Sequence, residues 1–278
     1  MLSLVRISVI CLALVGISGC DSAEERAEKH FQSALRMLED GDTDRAIVEF
    51  RNVFTLNESH REARLKYAEV TRSLGQFAQS YSAYLRVAEQ FPDDVDVRMT
   101  LTEMAVISQN WNEAERHGAV VLAADESVEG REIPLLALEF REAILDRDNA
   151  KIRELTRRAE ELEKKNPGDQ ILSRILVEGY MAESRFDVAL ELVDRMLVQN
   201  PDLFSAYRVK TTLLARKQDF DGLEAHLRNT IDRFPNDDTS KAQLIQLLSQ
   251  EGSLGEAEEF LRSEITASDD KVSAHLAL

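Results

Sequence analysis

The sequence predicts an all-α protein built from helical hairpins that recur every 34 residues. Only 5 Pro and 11 Gly occur in 278 residues, and this scarcity favours helix over turn-rich structure. No segment shows the sustained alternation of apolar and polar residues that marks a half-buried strand. Prolines, turn aromatics and small residues share the 34-residue interval, as in Pro167, Pro201 and Pro235, Phe77 and Trp111, and Ala46, Ser80 and Ala114.

The first element, residues 1–19, is interpreted as a secretory signal and not as part of the fold. One basic residue, Arg6, precedes a short apolar run, and small residues precede Cys20; this order is typical of a cleaved signal. The segment Ile-Ser-Gly-Cys that ends at Cys20 resembles the bacterial lipobox. That resemblance implies a lipid attached to Cys20, and Asp21 resembles the sorting signal that favours the inner over the outer membrane.

Residues 20–26 are expected to form the lipidated cysteine and a short tether. The formal charge of −17, from 51 acidic and 34 basic residues, repels the phosphates of nucleic acid and of anionic lipid. Nucleic acid is therefore excluded as a partner, and membrane attachment is expected to depend on the lipid. The predicted location is the bacterial cell envelope, with the folded part facing the periplasm.

The remainder divides into units that begin near residues 27, 61, 95, 170, 204 and 238, with an irregular unit over 129–169. We group them into two stacks, 27–130 and 131–278. The period resembles the tetratricopeptide repeat, and residues 61–94 carry its pattern at Ala68, Phe77, Ser80, Tyr84 and Pro92. The resemblance implies a right-handed superhelical solenoid of about seven tetratricopeptide-like hairpins.

Each class of repeated residue has a predicted structural role. Small residues such as Ala46 permit two helices to approach closely, and the proline ends the second helix of a unit. The aromatics at the turns, Phe77, Trp111, Phe186 and Phe220, are predicted to pack in the core and not to stack on sugars. Residues 271–278 resemble the start of an eighth unit, so either the chain is a fragment or its last turns fray.

No catalytic residue, metal site or cofactor is predicted. The five His lack metal-ligand spacing, and Glu113 with His117 reads as a structural i, i+4 pair. No nucleophile elbow, phosphate-binding glycine loop or dinucleotide fingerprint is present. We therefore expect a binding protein and not an enzyme.

The resemblance implies that the first helices of the units line a partner-binding groove. That groove would be acidic early in the chain and more basic late, which suits an extended peptide or partner helix of mixed charge. An equally weighted alternative is that these charges form a solvated face. The groove positions are Glu62, Leu65, Glu69, Arg72, Asp96, Met99, Glu103, Val106, Arg174, Glu178, Met181, Arg208, Thr212 and Arg216.

The functional prediction is a membrane-anchored scaffold that binds envelope proteins or peptide segments. The order of signal, lipidated cysteine and repeat array resembles that of repeat lipoproteins in polysaccharide export and outer-membrane biogenesis. The alternative is a lipoprotein that binds a glycan or a peptidoglycan strand. The residues select neither a particular envelope machine nor a particular partner.

Overall fold

The computed structural model describes residues 21–250 and 252–267. The signal segment, Cys20 and the start of the eighth unit at 271–278 lie outside the described residues. Within them the chain forms fourteen α-helices and no strand, which confirms the predicted all-α hairpin fold. The helices are α1 Ala23–Glu39, α2 Thr43–Leu56, α3 Arg61–Ser73, α4 Phe77–Gln90, α5 Val95–Ile107, α6 Trp111–Ala123, α7 Glu132–Asp146, α8 Asn149–Glu163, α9 Gln170–Ala182, α10 Phe186–Gln199, α11 Phe204–Lys217, α12 Phe220–Arg233, α13 Asp238–Gln250 and α14 Leu254–Ala267.

The chain forms two compact units, of which the first ends at Val128 and the second begins at Glu129. The first contains the three hairpins from α1 to α6, and the second contains the four hairpins from α7 to α14. The described part thus holds seven hairpins, as predicted. None of the described helices has both the length and the apolar character needed to cross a membrane.

Helix α1 begins at Ala23, within residues 20–26, which are predicted to form the tether. Ser22 caps the helix, because its hydroxyl accepts a hydrogen bond from the Glu25 backbone N–H at 3.1 Å. The Glu25 carboxylate accepts one in return from the Ser22 backbone N–H at 2.8 Å. This reciprocal capping satisfies two donors that a helix start otherwise leaves unpaired, so residues 23–26 are ordered as the first helical turn.

The small residues of the 34-residue register lie where the helices of a hairpin touch, as predicted. Ala46, Ser80 and Ala114 in the first unit and Ala189 in the second are fully buried. The Ser80 hydroxyl donates to the Ala68 carbonyl oxygen at 2.8 Å, so α4 runs directly against α3. A larger side chain at these positions would separate the two helices.

The fourth hairpin, formed by α7 and α8, is the irregular unit. Its second helix packs closely against α9 of the next hairpin at a glycine of α9. Gly179 in α9 is buried, and a methyl group built on it would lie 2.1 Å from the Thr156 hydroxyl oxygen of α8. A carbon atom and an oxygen atom that are not bonded to each other do not approach that closely. The contact between α8 and α9 therefore requires glycine at position 179.

Every hairpin turn contains one residue in the left-handed conformation. The glycines at 41, 75 and 252 have φ between 72° and 82°, and the other four turns use non-glycine residues with φ between 56° and 61°. Successive turns are 34 residues apart except around the irregular unit. The seven residues are Gly41, Gly75, Gln109, Arg147, Ser184, Gln218 and Gly252.

The predicted core role of the turn aromatics is wrong for two of them. Phe77 is 63% exposed and Phe220 is 46% exposed, while Trp111 and Phe186 are half-buried. All four begin the second helix of a hairpin. Because a Cα–Cβ bond tilts toward the helix N-terminus, a side chain at the first position projects beyond the helix end and away from the core.

Candidate functional site

In the first unit, the predicted groove positions of α3 share one face of that helix. Glu62, Leu65, Glu69 and Arg72 follow a spacing of three and four residues, which places them in one row on a helix. Glu62 and Glu69 are exposed, whereas Leu65 and Arg72 are half-buried. Leu65 packs at the edge of the core that α3, α4 and α5 share. This face therefore combines an apolar position with accessible charge.

The matching positions of α5 lie beside that face. Asp96 is exposed, and Met99 and Glu103 are half-buried. The Arg72 guanidinium Nη2 and the Glu103 carboxylate Oε2 are 4.0 Å apart, so the structure brings α3 and α5 groove positions together. Burial raises the pKa of Tyr84, and the nearby Glu69 and Glu103 carboxylates raise it further.

In the second unit, the α9 positions are partly paired with each other. The Arg174 Nε lies 3.1 Å from the Glu178 Oε1 one helical turn later, and both side chains are half-buried. Such an i, i+4 pair stabilises a helix by only about 0.2–0.5 kcal/mol, so either group can exchange its partner at little cost. Met181, the third predicted position of this helix, is also half-buried.

The α11 positions open onto a recess between α11 and α13. Arg208 and Thr212 line it from α11, and Asp237 and Gln243 line it from the α13 side. The recess has a volume of about 360 Å³. In the described part of the chain, no carboxylate lies within ion-pair distance of the Arg208 guanidinium, so this cation is available to a ligand. Arg216 is exposed on the same helix but does not line the recess.

Of the predicted groove positions, Val106 of α5 is 2% exposed and lies in the core and not on the accessible face, whereas the others are exposed or half-buried. Their charge changes from mainly acidic on α3 and α5 to mainly basic on α9 and α11. Accessible apolar side chains accompany the charges at Leu65, Met99 and Met181. Charge of this kind steers a complementary partner, and the apolar positions supply surface that a partner can bury.

Within residues 21–250 and 252–267, no group of three or more His, Cys, Asp or Glu side chains is placed to hold a metal ion. The Glu113 and His117 pair belongs to a structural network instead. His117 is fully buried in the first unit, and Arg98 Nη1 donates to its Nδ1 at 2.9 Å. Arg116 Nη2 lies 3.2 Å from the His117 Nε2, so a guanidinium group faces each ring nitrogen and disfavours the charged imidazole.

That Nε2 faces the Tyr81 hydroxyl oxygen at 3.4 Å. The Tyr81 hydroxyl in turn donates to the Glu113 Oε2 at 2.9 Å, and Arg116 donates to the same oxygen. Burial and the charges of Arg116 and Arg98 lower the pKa of His117 to about 4, and burial raises the pKa of Tyr81 to about 12. The network holds α4, α5 and α6 together.

Sequence reasoning missed Arg98 and Tyr81 as partners of His117. Tyr81 and Glu113 are 32 residues apart, and Arg61 with Asp94, another ion pair of this unit, are 33 apart. Such separations are close to one repeat length. Pairing each charged residue with the residues about one repeat away is the sequence signal that could have found these contacts.

Comparison with known proteins supports the repeat assignment. Residues 37–104 match the tetratricopeptide repeat family. No curated protein matches the sequence. Among solved structures, the chain is similar to the Cut9–Hcn1 hetero-tetramer of the APC/C, with a TM-score of 0.59 and 17% identity over 80% of this chain and 43% of that one.

It is also similar to PilF of Pseudomonas aeruginosa, with a TM-score of 0.50 and 13% identity over 79% of this chain and 97% of that one. At these identities the likeness concerns the fold alone. Residues 37–104 match the tetratricopeptide repeat family, and the hairpins of both units together with the similar structures show that the chain has a helical repeat fold.

Proposed function

We propose that this chain is a lipid-anchored scaffold that binds protein partners through the first helices of its hairpins. The observation that carries the proposal is the accessible face formed by α3 and α5, where Arg72 meets Glu103 beside Leu65 and Met99. The second unit by itself offers an accessible surface in the recess that Arg208 lines. Tetratricopeptide-type folds offer such extended surfaces to proteins and peptides.

The proposed anchor is the lipid on Cys20, with Asp21 as the sorting residue that favours the inner membrane. Helix α1 begins at Ala23, which leaves no long linker between the lipid and the first hairpin. The first unit would therefore stay close to the membrane surface on its periplasmic side. This position suits an envelope assembly of the polysaccharide-export or outer-membrane-biogenesis type.

The binding surface can be tested by photo-crosslinking in intact cells. A photoreactive amino acid would replace Leu65 in the first unit or Met181 in the second. Matched controls would replace Leu122, which is 66% exposed, or Val198, which is 82% exposed, because neither belongs to the predicted groove. We expect protein adducts from the two groove positions and none from the controls.

Equal adducts from groove and control positions, or none from either, would contradict the proposed surface. The anchor is tested separately with the Cys20→Ser variant. We expect this variant to lose incorporation of labelled palmitate and to leave the membrane fraction. Retention of both properties would refute lipidation at this residue without bearing on the groove.

A second candidate function is glycan binding, and the exposure of Phe77 and Phe220 favours it. Exposed aromatic rings at the hairpin turns offer flat apolar faces against which a sugar ring can pack. Sedimentation with purified cell-wall sacculi tests this function. The Phe77→Ser and Phe220→Ser double variant should then remain in the supernatant, whereas the groove variant Arg208→Gln should still sediment.

A further inference from the structure

The first unit contains a second recess, on the side of α3 opposite to the groove face. We name it the arginine recess. It has a volume of about 370 Å³ and lies among α2, α3 and α4. Arg64 and Tyr67 of α3 line it, and helical periodicity places them away from Glu62 and Glu69. Its lining residues are Arg51, Phe54, Arg64, Tyr67, Ala78, Gln79, Ser82, Ala83 and Arg86.

The lining contains three arginines and no acidic residue, although the chain as a whole carries a charge of −17. Arg64 donates through Nε to the Glu58 backbone carbonyl at 2.8 Å and forms no ion pair within the described residues. Arg86 lies 3.4 Å from Glu89 at an exposed position, where an ion pair contributes little. In the described residues, Arg51 has no ion-pair partner.

The guanidinium groups also act on one another. Burial lowers the pKa of Arg64, and the charge of Arg86 lowers it further, with only Glu58 acting in the opposite direction. The positive field of Arg86 thus reaches Arg64. An anion placed in the recess would relieve this repulsion and would gain charge-assisted hydrogen bonds.

Two aromatic rings complete the recess. Phe54 and Tyr67 meet edge to face, with their ring centroids 5.5 Å apart. The Arg64 guanidinium carbon lies 4.5 Å from the centroid of the Phe54 ring, which fixes the orientation of its planar fork. The Tyr67 hydroxyl donates to the Gln79 side-chain oxygen at 3.3 Å. An apolar group next to the anion would pack on these rings.

We propose that the arginine recess binds a carboxylate side chain of a partner protein, carried beside an aromatic or aliphatic residue. The guanidinium fork matches a carboxylate through two parallel hydrogen bonds, and the Phe54–Tyr67 pair accepts the neighbouring apolar side chain. An anionic lipid surface fits less well, because lipid surfaces are bound by larger clusters of basic residues, whereas the three arginines of the recess suffice for a single carboxylate. The inference rests on the proposed protein-binding function but uses a different surface.

Fluorescence anisotropy of a labelled peptide tests the inference on the folded chain. The probe contains Asp-Phe-Glu-Leu between Gly-Ser spacers, and its neutral analogue contains Asn-Phe-Gln-Leu. We expect the acidic peptide to bind and the neutral one to bind at least about tenfold more weakly, since charge-assisted hydrogen bonds are lost. The Arg51→Gln and Arg86→Gln double variant should lose about the same factor. Both positions are exposed, so the fold should be retained, which circular dichroism would verify.

The matched control is Arg45→Gln, which removes an arginine that is exposed on α2 but does not line the recess. It should bind the acidic peptide like the unchanged protein. Equal affinity for the two peptides, no binding of either, or no effect of the double variant would overturn the inference. So would stronger binding of phosphatidylglycerol vesicles or of inorganic phosphate than of the acidic peptide.

The outcome is separable from that of the proposed groove. Arg208→Gln alters the recess of the second unit and should leave the binding of the acidic peptide unchanged. If the arginine recess fails to bind while the groove crosslinks form, only this inference is lost. If the peptide binds but no groove adduct forms, the recess stands and the groove proposal fails.

Discussion

The buried His117 should make the stability of the first unit depend on pH. Its folded-state pKa of about 4 lies below the ordinary value of about 6.5. Between these two pH values the His117 imidazole is protonated in the unfolded chain and neutral in the folded chain. The free energy of unfolding should therefore be highest above pH 6.5, should fall as the pH drops toward 4, and should lose no more from this group below pH 4.

The size of the effect follows from the two pKa values. Proton linkage gives a loss of about 2 kcal/mol between pH 7.5 and pH 5, and about 3 kcal/mol once the pH is below 4. Burial sets most of the shift, the charges of Arg116 and Arg98 add to it, and Glu113 acts in the opposite direction. The Tyr81 hydroxyl faces the ring but carries no charge. Urea unfolding at each pH measures the loss. The fluorescence of Trp111, the one Trp of the chain, reports on the first unit, because this residue begins the helix that carries His117.

The variant His117→Gln removes the titrating group while keeping a polar side chain of similar size. Its unfolding free energy should be lower at pH 7.5 but should change less than that of the unchanged protein between pH 7.5 and 5, by about 2 kcal/mol. The control Tyr81→Phe leaves the imidazole buried and should keep the original pH dependence. Identical pH dependence in His117→Gln and the unchanged protein would refute the reasoning.

Three further variants test packing and an ion pair, each by urea unfolding followed with circular dichroism. Gly179→Ala should destabilise the second unit by about 1–3 kcal/mol through overpacking, and adding Thr156→Ala should restore most of that loss; no rescue would contradict the contact. Ala46→Leu should cost about 1–3 kcal/mol, whereas Ala119→Leu, at an exposed position of α6, should change stability by less than about 0.5 kcal/mol. Asp94→Asn should cost about 1 kcal/mol, because it removes the charge that pairs with the arginine at the start of α3; an unchanged midpoint would show that the amide serves equally well.

The regular hairpins could be predicted from the sequence because their repeated residues act locally. Helices α3, α5, α9, α11 and α13 begin at residues 61, 95, 170, 204 and 238, which are the predicted unit starts. Small residues mark the close contact within a hairpin, and Pro92, Pro201 and Pro235 follow the last residue of a second helix by two positions. Both signals are steric. A close contact between two helices accepts only a small side chain, and a proline ring does not fit in the interior of a helix.

The exposure of the turn aromatics could not be predicted from that period. The interval fixes where Phe77 and Phe220 lie along the hairpin, but the direction of a side chain at the first position of a helix depends on backbone geometry. The His117 network and the arginine recess were also missed. Both join side chains from separate helices, so their chemistry exists only after the hairpins stack.

The left-handed turn residues carry a consequence for how such chains are recognised. In three of the described hairpins the residue is glycine, but in four a side chain occupies a conformation that costs an L-residue roughly 1–2 kcal/mol. The family match ends at residue 104, before Gln109, the first turn in which a non-glycine residue adopts that conformation. The left-handed turn conformation therefore recurs in hairpins that the family match does not reach. A comparison of backbone torsion angles would detect these repeats, whereas a comparison of residue types alone does not.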